Sequence, residues 1–283
     1  MRNTEKLNRF VRWMRAKNNA PNTIELYKHH LEVFFKIVDE DSSRISEKRI
    51  QDYILNIPQR FSFSYKNQVI NAIKLYFEVI ENRKLDEVIL PRPISQQFIP
   101  NILSVEQTKW VIFNTQNLKH RTLLFVIYDN GLRISELLNL TLMDFRTKSD
   151  TPHLIVRDAK HHSSRIIPLS SECVELVREY FIKYKPKKYL FEGEKQGEIY
   201  SETSIRNIFK NALEREKIKI RIRVHDLRHS FATHCLANGM DIYQLSKILG
   251  HRSVSTTEKY YAHLNFAQMS VKRPVLTMNN IAV

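Results

Sequence analysis

The chain reads as mainly α with a small β-sheet, built as a helical domain over residues 1–95 and a mixed domain over residues 101–283. Three observations predict this. Apolar residues recur at spacings of three and four through most of the chain. Residues 153–170 read instead as two short strands flanking a polar turn. Pro91, Pro93 and Pro100 fall close together where no periodicity runs, which marks a linker. At 283 residues the chain can bury two cores of ordinary size.

The elements can be justified in chain order. In PNTIELYKHHLEVFFKIV, Ile24, Tyr27, Leu31, Phe34 and Val38 make one apolar helical face, and Pro21 and Asn22 suit its start. ISEKRIQDYILNI predicts a second helix with Ser46 as its cap. SYKNQVINAIKLYFEVIE predicts a third, with Val69, Ile73, Tyr76 and Ile80 on one side. Lys28, Lys36, Lys66 and Lys74 decorate the outside. Ser104 and Gln107 form a capping box that opens the second domain. There HLIVRDA, the turn KHHSS and RIIPLS predict a hairpin. Helices come next over SSECVELVREYFIKY, SETSIRNIFKNALEREK, HDLRHSFATHCLANG and DIYQLSKILG. Trp13 and Trp110 read as anchors of their helices, and His234 and Cys235 as helix packing.

Charge narrows the partner. The chain has 45 Lys+Arg against 30 Asp+Glu, a formal net of +15. Both regions carry the excess, so it belongs to a folded body and not to a basic tail. Such a body fits a long polyanion, nucleic acid before anionic membrane. No apolar run is long enough to span a bilayer, and MRNTEKLNRF is no signal peptide. Cys173 and Cys235 read as free thiols in a reducing, cytoplasmic setting. With only five glycines there is no Gly-rich nucleotide loop, so no ATP or dinucleotide cofactor is expected.

Candidate chemistry lies in four places. His225 and Arg228 share a helix face at i,i+3, and His229 lies near. This stretch alone allows an anion site, a metal pair, or a solvated or partly buried helix face. A zinc motif would need glutamate where Asp226 stands, and a third ligand. Arg133 follows Gly131 in Leu-rich surroundings. It either pairs with Glu136 at i+3 or projects from a helix start onto a phosphate. Lys160 sits on the hairpin turn beside His161 and His162. It is a solvated tip or a probe into a groove. His251 follows Gly250, Ser253 and Ser255 can cap the next helix, and Tyr260 and Tyr261 lie on it.

GLRISEL, the Lys160 turn, HDLRHSFATH, LGHRS and TTEKY stand in the order of the tyrosine recombinases, the phage-type integrases, and resemble the Xer-like members most. Motifs cover about residues 101–265; the helical N-terminal region resembles the family's SAM-like core DNA-binding domain more weakly. The resemblance implies two domains that clamp DNA, with Arg133, Lys160, His225, Arg228 and His251 around the phosphate and Tyr260 as nucleophile. Tyr260 fits the spacings from His251 and Thr257, while Tyr261, with His263, fits the family's local Tyr-x-His pattern. The longer-range spacings favour Tyr260.

The implied reaction joins tyrosine to the 3′ phosphate and frees a 5′-hydroxyl. The bond energy is kept, so no ATP is needed, and with no Asp/Glu pair or trio evidently suited to two Mg²⁺ ions the chemistry is expected to be metal-free. The resemblance also implies double-stranded DNA as partner, and a homotetramer, or a heterotetramer with a related recombinase. The tail with Val275, Leu276, Met278 and Ile281 would dock on a neighbour, or else is a disordered end. The biological role would be chromosome or plasmid dimer resolution, or mobile-element integration. The rival readings are a topoisomerase-like enzyme working on one duplex, a non-catalytic DNA-binding accessory protein, and a zinc enzyme.

Overall fold

The computed structural model describes residues 2–86, 90, 92, 101–158, 163–251 and 253–261. The chain divides into two compact units, Met1–Gln97 and Phe98–Val283. All but two residues of the proline-rich stretch 90–100, the hairpin tip with Lys160, His161 and His162, and the tail beyond residue 261 lie outside the described residues.

The first unit is four helices: α1 (Arg2–Ala16), α2 (Pro21–Val38), α3 (Glu47–Leu55) and α4 (Phe63–Ile80). Helix α1 is absent from the sequence-predicted set. It forms because Leu7, Phe10, Val11 and Met14 make an apolar stripe, and all four are buried. Helix α2 starts with proline in its first turn and ends on Asp39 in the left-handed conformation. Ser46 and Ser62 cap α3 and α4 by accepting from the Arg49 and Tyr65 amides. The core joins Phe10, Leu31, Phe34, Ile73, Tyr76 and Phe77. Burying Tyr76 requires a partner for its hydroxyl, and Ser42 Oγ supplies one at 3.1 Å. Lys6 ties α1 to the ends of α2 and α4, standing 3.0 Å from both Asp41 and Glu81. Trp13 packs on this core as expected.

The second unit is built round α6 (Leu118–Asp129). Leu123, Leu124, Phe125, Val126 and Ile127 are all buried, and a helix apolar on every side belongs inside. Packed on it are α5 (Val105–Phe113), α7 (Ile134–Asn139), α8 (Ser171–Tyr184), α9 (Glu202–Arg215) and α10 (Val224–Ala237). The Ser104–Gln107 capping box forms in both directions. Trp110, on α5, departs from the expected anchor: it is 54% exposed.

The sheet is antiparallel with order β1 (Phe145–Arg146), β2 (His153–Asp158) and β3 (Ser163–Pro168). The hairpin matches expectation, with Leu154 opposite Ile167 and Val156 opposite Arg165. The two-residue β1 is an addition, too short to leave a periodic signal. Helix α11 (Ile242–Leu249) packs against β3 and α10, and α12 (Val254–Tyr261) packs against α11.

Candidate active site

Arg133 is the N-cap residue of α7, so the chain must turn sharply just before it. Gly131 makes that turn at φ +56°, and a Cβ there would stand 2.7 Å from the Phe231 ring and 2.9 Å from Leu249. Gly131→Ala combines left-handed strain with overpacking, and should cost about 3 kcal/mol in urea unfolding.

Three guanidinium groups meet one buried carboxylate. Glu136 Oε1 accepts from Arg133 Nη1 at 2.7 Å and from Arg165 Nη1 at 2.8 Å. Its Oε2 accepts from the Arg133 amide at 2.8 Å and from Arg165 Nη2 at 2.8 Å. Arg228 Nη1 stands 3.6 Å from Oε2. Burial alone would raise the Glu136 pKa. The Arg165 fork, the Arg133 amide and the charge of Arg228 outweigh it and hold the carboxyl down at about 2.

Arg228 is 3% exposed in α10. Its Nη1 donates to the Gly131 carbonyl at 2.8 Å and its Nη2 to the Leu249 carbonyl at 2.6 Å. His225 lies one turn earlier, its ring edge-to-face with His229 at 4.9 Å between centroids. His225 keeps an exposed side; the packing round the rest of its ring, and then the charge of Arg228, lower its pKa. His251 follows Gly250, which ends α11 in the left-handed conformation. Its Nδ1 is 2.8 Å from Thr257 Oγ1 on α12, and Thr257 is fully buried. Ser253 accepts from the Ser255 amide at 3.2 Å and so caps α12 locally.

Burial, and then the charges of Arg228, Arg133 and Arg165, bring His251 from 6.5 to about 4. His229 also falls to about 4, by burial and then by His225. Both folded-state values lie below the unfolded ones. Their stabilising contribution is therefore complete above pH 6.5 and lost as pH falls towards 4. Glu136 adds a loss at lower pH, from 4.5 down towards about 2. The urea midpoint should decline on acidification through this whole range.

The structure thus brings together Arg133, His225, Arg228 and His251, since the charges of Arg133 and Arg228 depress both imidazoles. The backbone of α12 carries positions 260 and 261, but the side chains of Tyr260 and Tyr261, like Lys160, lie outside what is described. Among the described residues no three His, Cys, Asp or Glu side chains are grouped as a metal site. Sequence reasoning missed Arg165. Residues two apart on a strand share a face, and Arg165 shares one with buried Ile167, while Ile166 is 64% exposed. A charge at an inward strand position was the available signal, obscured by two adjacent isoleucines.

Beside Arg133 and His225 opens a cleft of about 800 Å³, also lined by Arg206, Lys210, Arg221 and Arg223. Lys217, Lys219, Arg221 and Arg223 occupy alternate positions entering α10, and all four are exposed. Buried Ile222 and Val224, and Asn101 Nδ2 donating to the Arg221 carbonyl at 3.0 Å, fix this segment. Three arginines against one carboxylate leave a net positive charge, and Arg133 carries it to the edge of the cleft.

Among the described residues no helix is long and apolar enough to cross a membrane. Comparison with known proteins places the chain. The sequence profile of the phage integrase family matches residues 94–268, and that of the phage integrase N-terminal SAM-like domain matches 7–87. Tyrosine recombinase XerA of Pyrococcus horikoshii is 30% identical over 260 residues, covering 91% of this chain and 89% of that one. Tyrosine recombinase XerC of Staphylococcus aureus is 25% identical, covering 89% of each. The fold resembles XerH site-specific recombinase bound to palindromic difH substrate in a post-cleavage complex. The TM-score is 0.74 at 20% identity, over 92% of this chain and 82% of that one. The chain therefore belongs to the phage integrase family, and its reaction is the DNA strand transfer of a tyrosine recombinase.

Proposed function

We propose that the chain is a site-specific recombinase that cleaves and rejoins duplex DNA through a 3′-phosphotyrosyl bond on Tyr260, exchanging strands between two duplexes in a tetramer. The observation that carries the reading is the convergence of Arg133, Arg228, His225 and His251 beside the helix that bears Tyr260. Arg133 and Arg228 clamp the non-bridging oxygens, where charge grows as phosphorus becomes five-coordinate. His225 and His251 add hydrogen bonds to those oxygens. His225 also helps to take the phenol proton. The Tyr260 oxygen bonds to phosphorus, the bond to the 5′ oxygen breaks, and Lys160 protonates that oxygen as it leaves. A 5′-hydroxyl from the second duplex reverses the step.

The N-terminal unit serves as the core-binding domain and the second unit as the catalytic one. The alternating cations from Lys217 to Arg223 hold DNA backbone. Affinity for a non-specific duplex should fall with salt, and Lys219→Ala with Arg221→Ala should lower the log–log slope by about 2.

The test is trapping on a pool of nicked duplexes carrying randomised sequence, then peptide mapping of the adduct. Tyr260 as the modified residue supports the reading. Tyr261 keeps the chemistry and moves the nucleophile by one residue. Tight binding to a recovered site with no adduct overturns it in favour of an accessory role. Two duplexes per tetramer, measured by light scattering, separate exchange from relaxation of a single duplex.

A further inference from the structure

We propose that Arg165 is a positioning residue for strand cleavage, which fills the Glu136 carboxylate and so keeps Arg228, the partner of Arg133 in the phosphate clamp, from bonding that carboxylate directly. The proposal rests on the reading of those two arginines as the phosphate clamp.

A carboxylate offers about four lone-pair sites. At Glu136 the Arg165 fork takes one on each oxygen, and the Arg133 guanidinium and amide take the others. Arg228 is left at 3.6 Å, inside ion-pair distance and beyond a hydrogen bond. Without Arg165, two of those sites open within a short shift of Arg228. A charge-assisted bond would then turn the clamp inward and offset the charge that substrate should meet.

The fork is held from a third side. Arg165 Nε donates to the Ile248 carbonyl at 2.6 Å, near the end of α11. The guanidinium runs so close under the next turn that a Cβ on Gly250 would lie 2.8 Å from its Nη1. Glycine at position 250 thus serves the arginine as well as its own φ of +67°. Lysine, a single ammonium, cannot grip both carboxylate oxygens and this carbonyl at once. A buried ion pair is weak grounds for a stabilising role, because neutral replacements are often as stable. Here the arrangement controls which cations bond the carboxylate directly.

The test uses a duplex recovered by the trapping experiment and compares Arg165→Met, Arg165→Lys and the double variant Arg165→Met/Glu136→Gln. Single-turnover cleavage is measured per folded molecule, with the folded fraction taken from circular dichroism, alongside duplex affinity. Arg165→Met should slow cleavage about 100-fold while affinity stays within about threefold. Adding Glu136→Gln should recover about tenfold, because a neutral amide no longer offsets the clamp. Arg165→Lys should fall between, and it carries the test where Arg165→Met does not fold. An unchanged rate per folded molecule in the single variants, or a double variant no faster than Arg165→Met, overturns the proposal and leaves Arg165 a tie between β3 and α11. A wild-type chain that gives no adduct overturns the clamp reading before any variant is compared.

Discussion

Tyr260→Phe should abolish the covalent protein–DNA adduct, cutting strand cleavage by at least about 10⁴-fold, and leave duplex binding in place. Phenylalanine keeps the ring and removes only the attacking oxygen. On the proposed reading binding draws on cations elsewhere, and the exposed Lys217, Lys219, Arg221 and Arg223 are untouched by the substitution. Denaturing gels on a nicked duplex read the first quantity and fluorescence anisotropy the second. Tyr261→Phe is the internal control. One residue along a helix turns a side chain by about 100°, so the two hydroxyls cannot share one phosphorus. If Tyr261→Phe alone abolishes the adduct, the spacing argument from His251 and Thr257 is wrong by one residue.

The second large effect is on stability. Glu136→Ala removes the carboxylate that faces Arg133, Arg165 and Arg228, whose side chains are 35%, 12% and 3% exposed. Removing one partner of a buried ion pair leaves uncompensated charge, so the expected cost is about 3–5 kcal/mol in urea unfolding. Arg133 reaches solvent and adds little, so Arg165 and Arg228 carry the loss. Raising the concentration of sulfate should recover part of it, since an anion can enter where three guanidinium groups remain. A cost below about 1 kcal/mol would mean that the cluster relaxes into water without strain.

Local signals were legible wherever one short segment carried them. Ser46, Ser104 with Gln107, and Pro21 each marked a helix start that the structure shows. The hairpin was readable from Val, Ile and the polar turn between them. Helix α1 was overlooked though Leu7, Phe10, Val11 and Met14 announce it; the charged residues among them diluted the pattern. At the site, Arg133 with Glu136 was readable because a helix brings i and i+3 together. Arg165 was not, because its bond to Glu136 spans 29 positions and joins β3 to α7. No periodicity reports such a pairing. Trp110 was read as an anchor of its helix, and it stands 54% exposed on α5.

Arg228 is tethered by the carbonyls of Gly131 and Leu249. A carbonyl is present whatever side chain stands at its position. At Leu249 the anchor of this guanidinium therefore depends on the path of the backbone and not on the side chain, whereas at Gly131 the path itself requires glycine. Displacing the end of α11, by contrast, moves the charge itself. Substitutions that shift main chain should then be rarer in this lineage than substitutions that merely change what hangs from it.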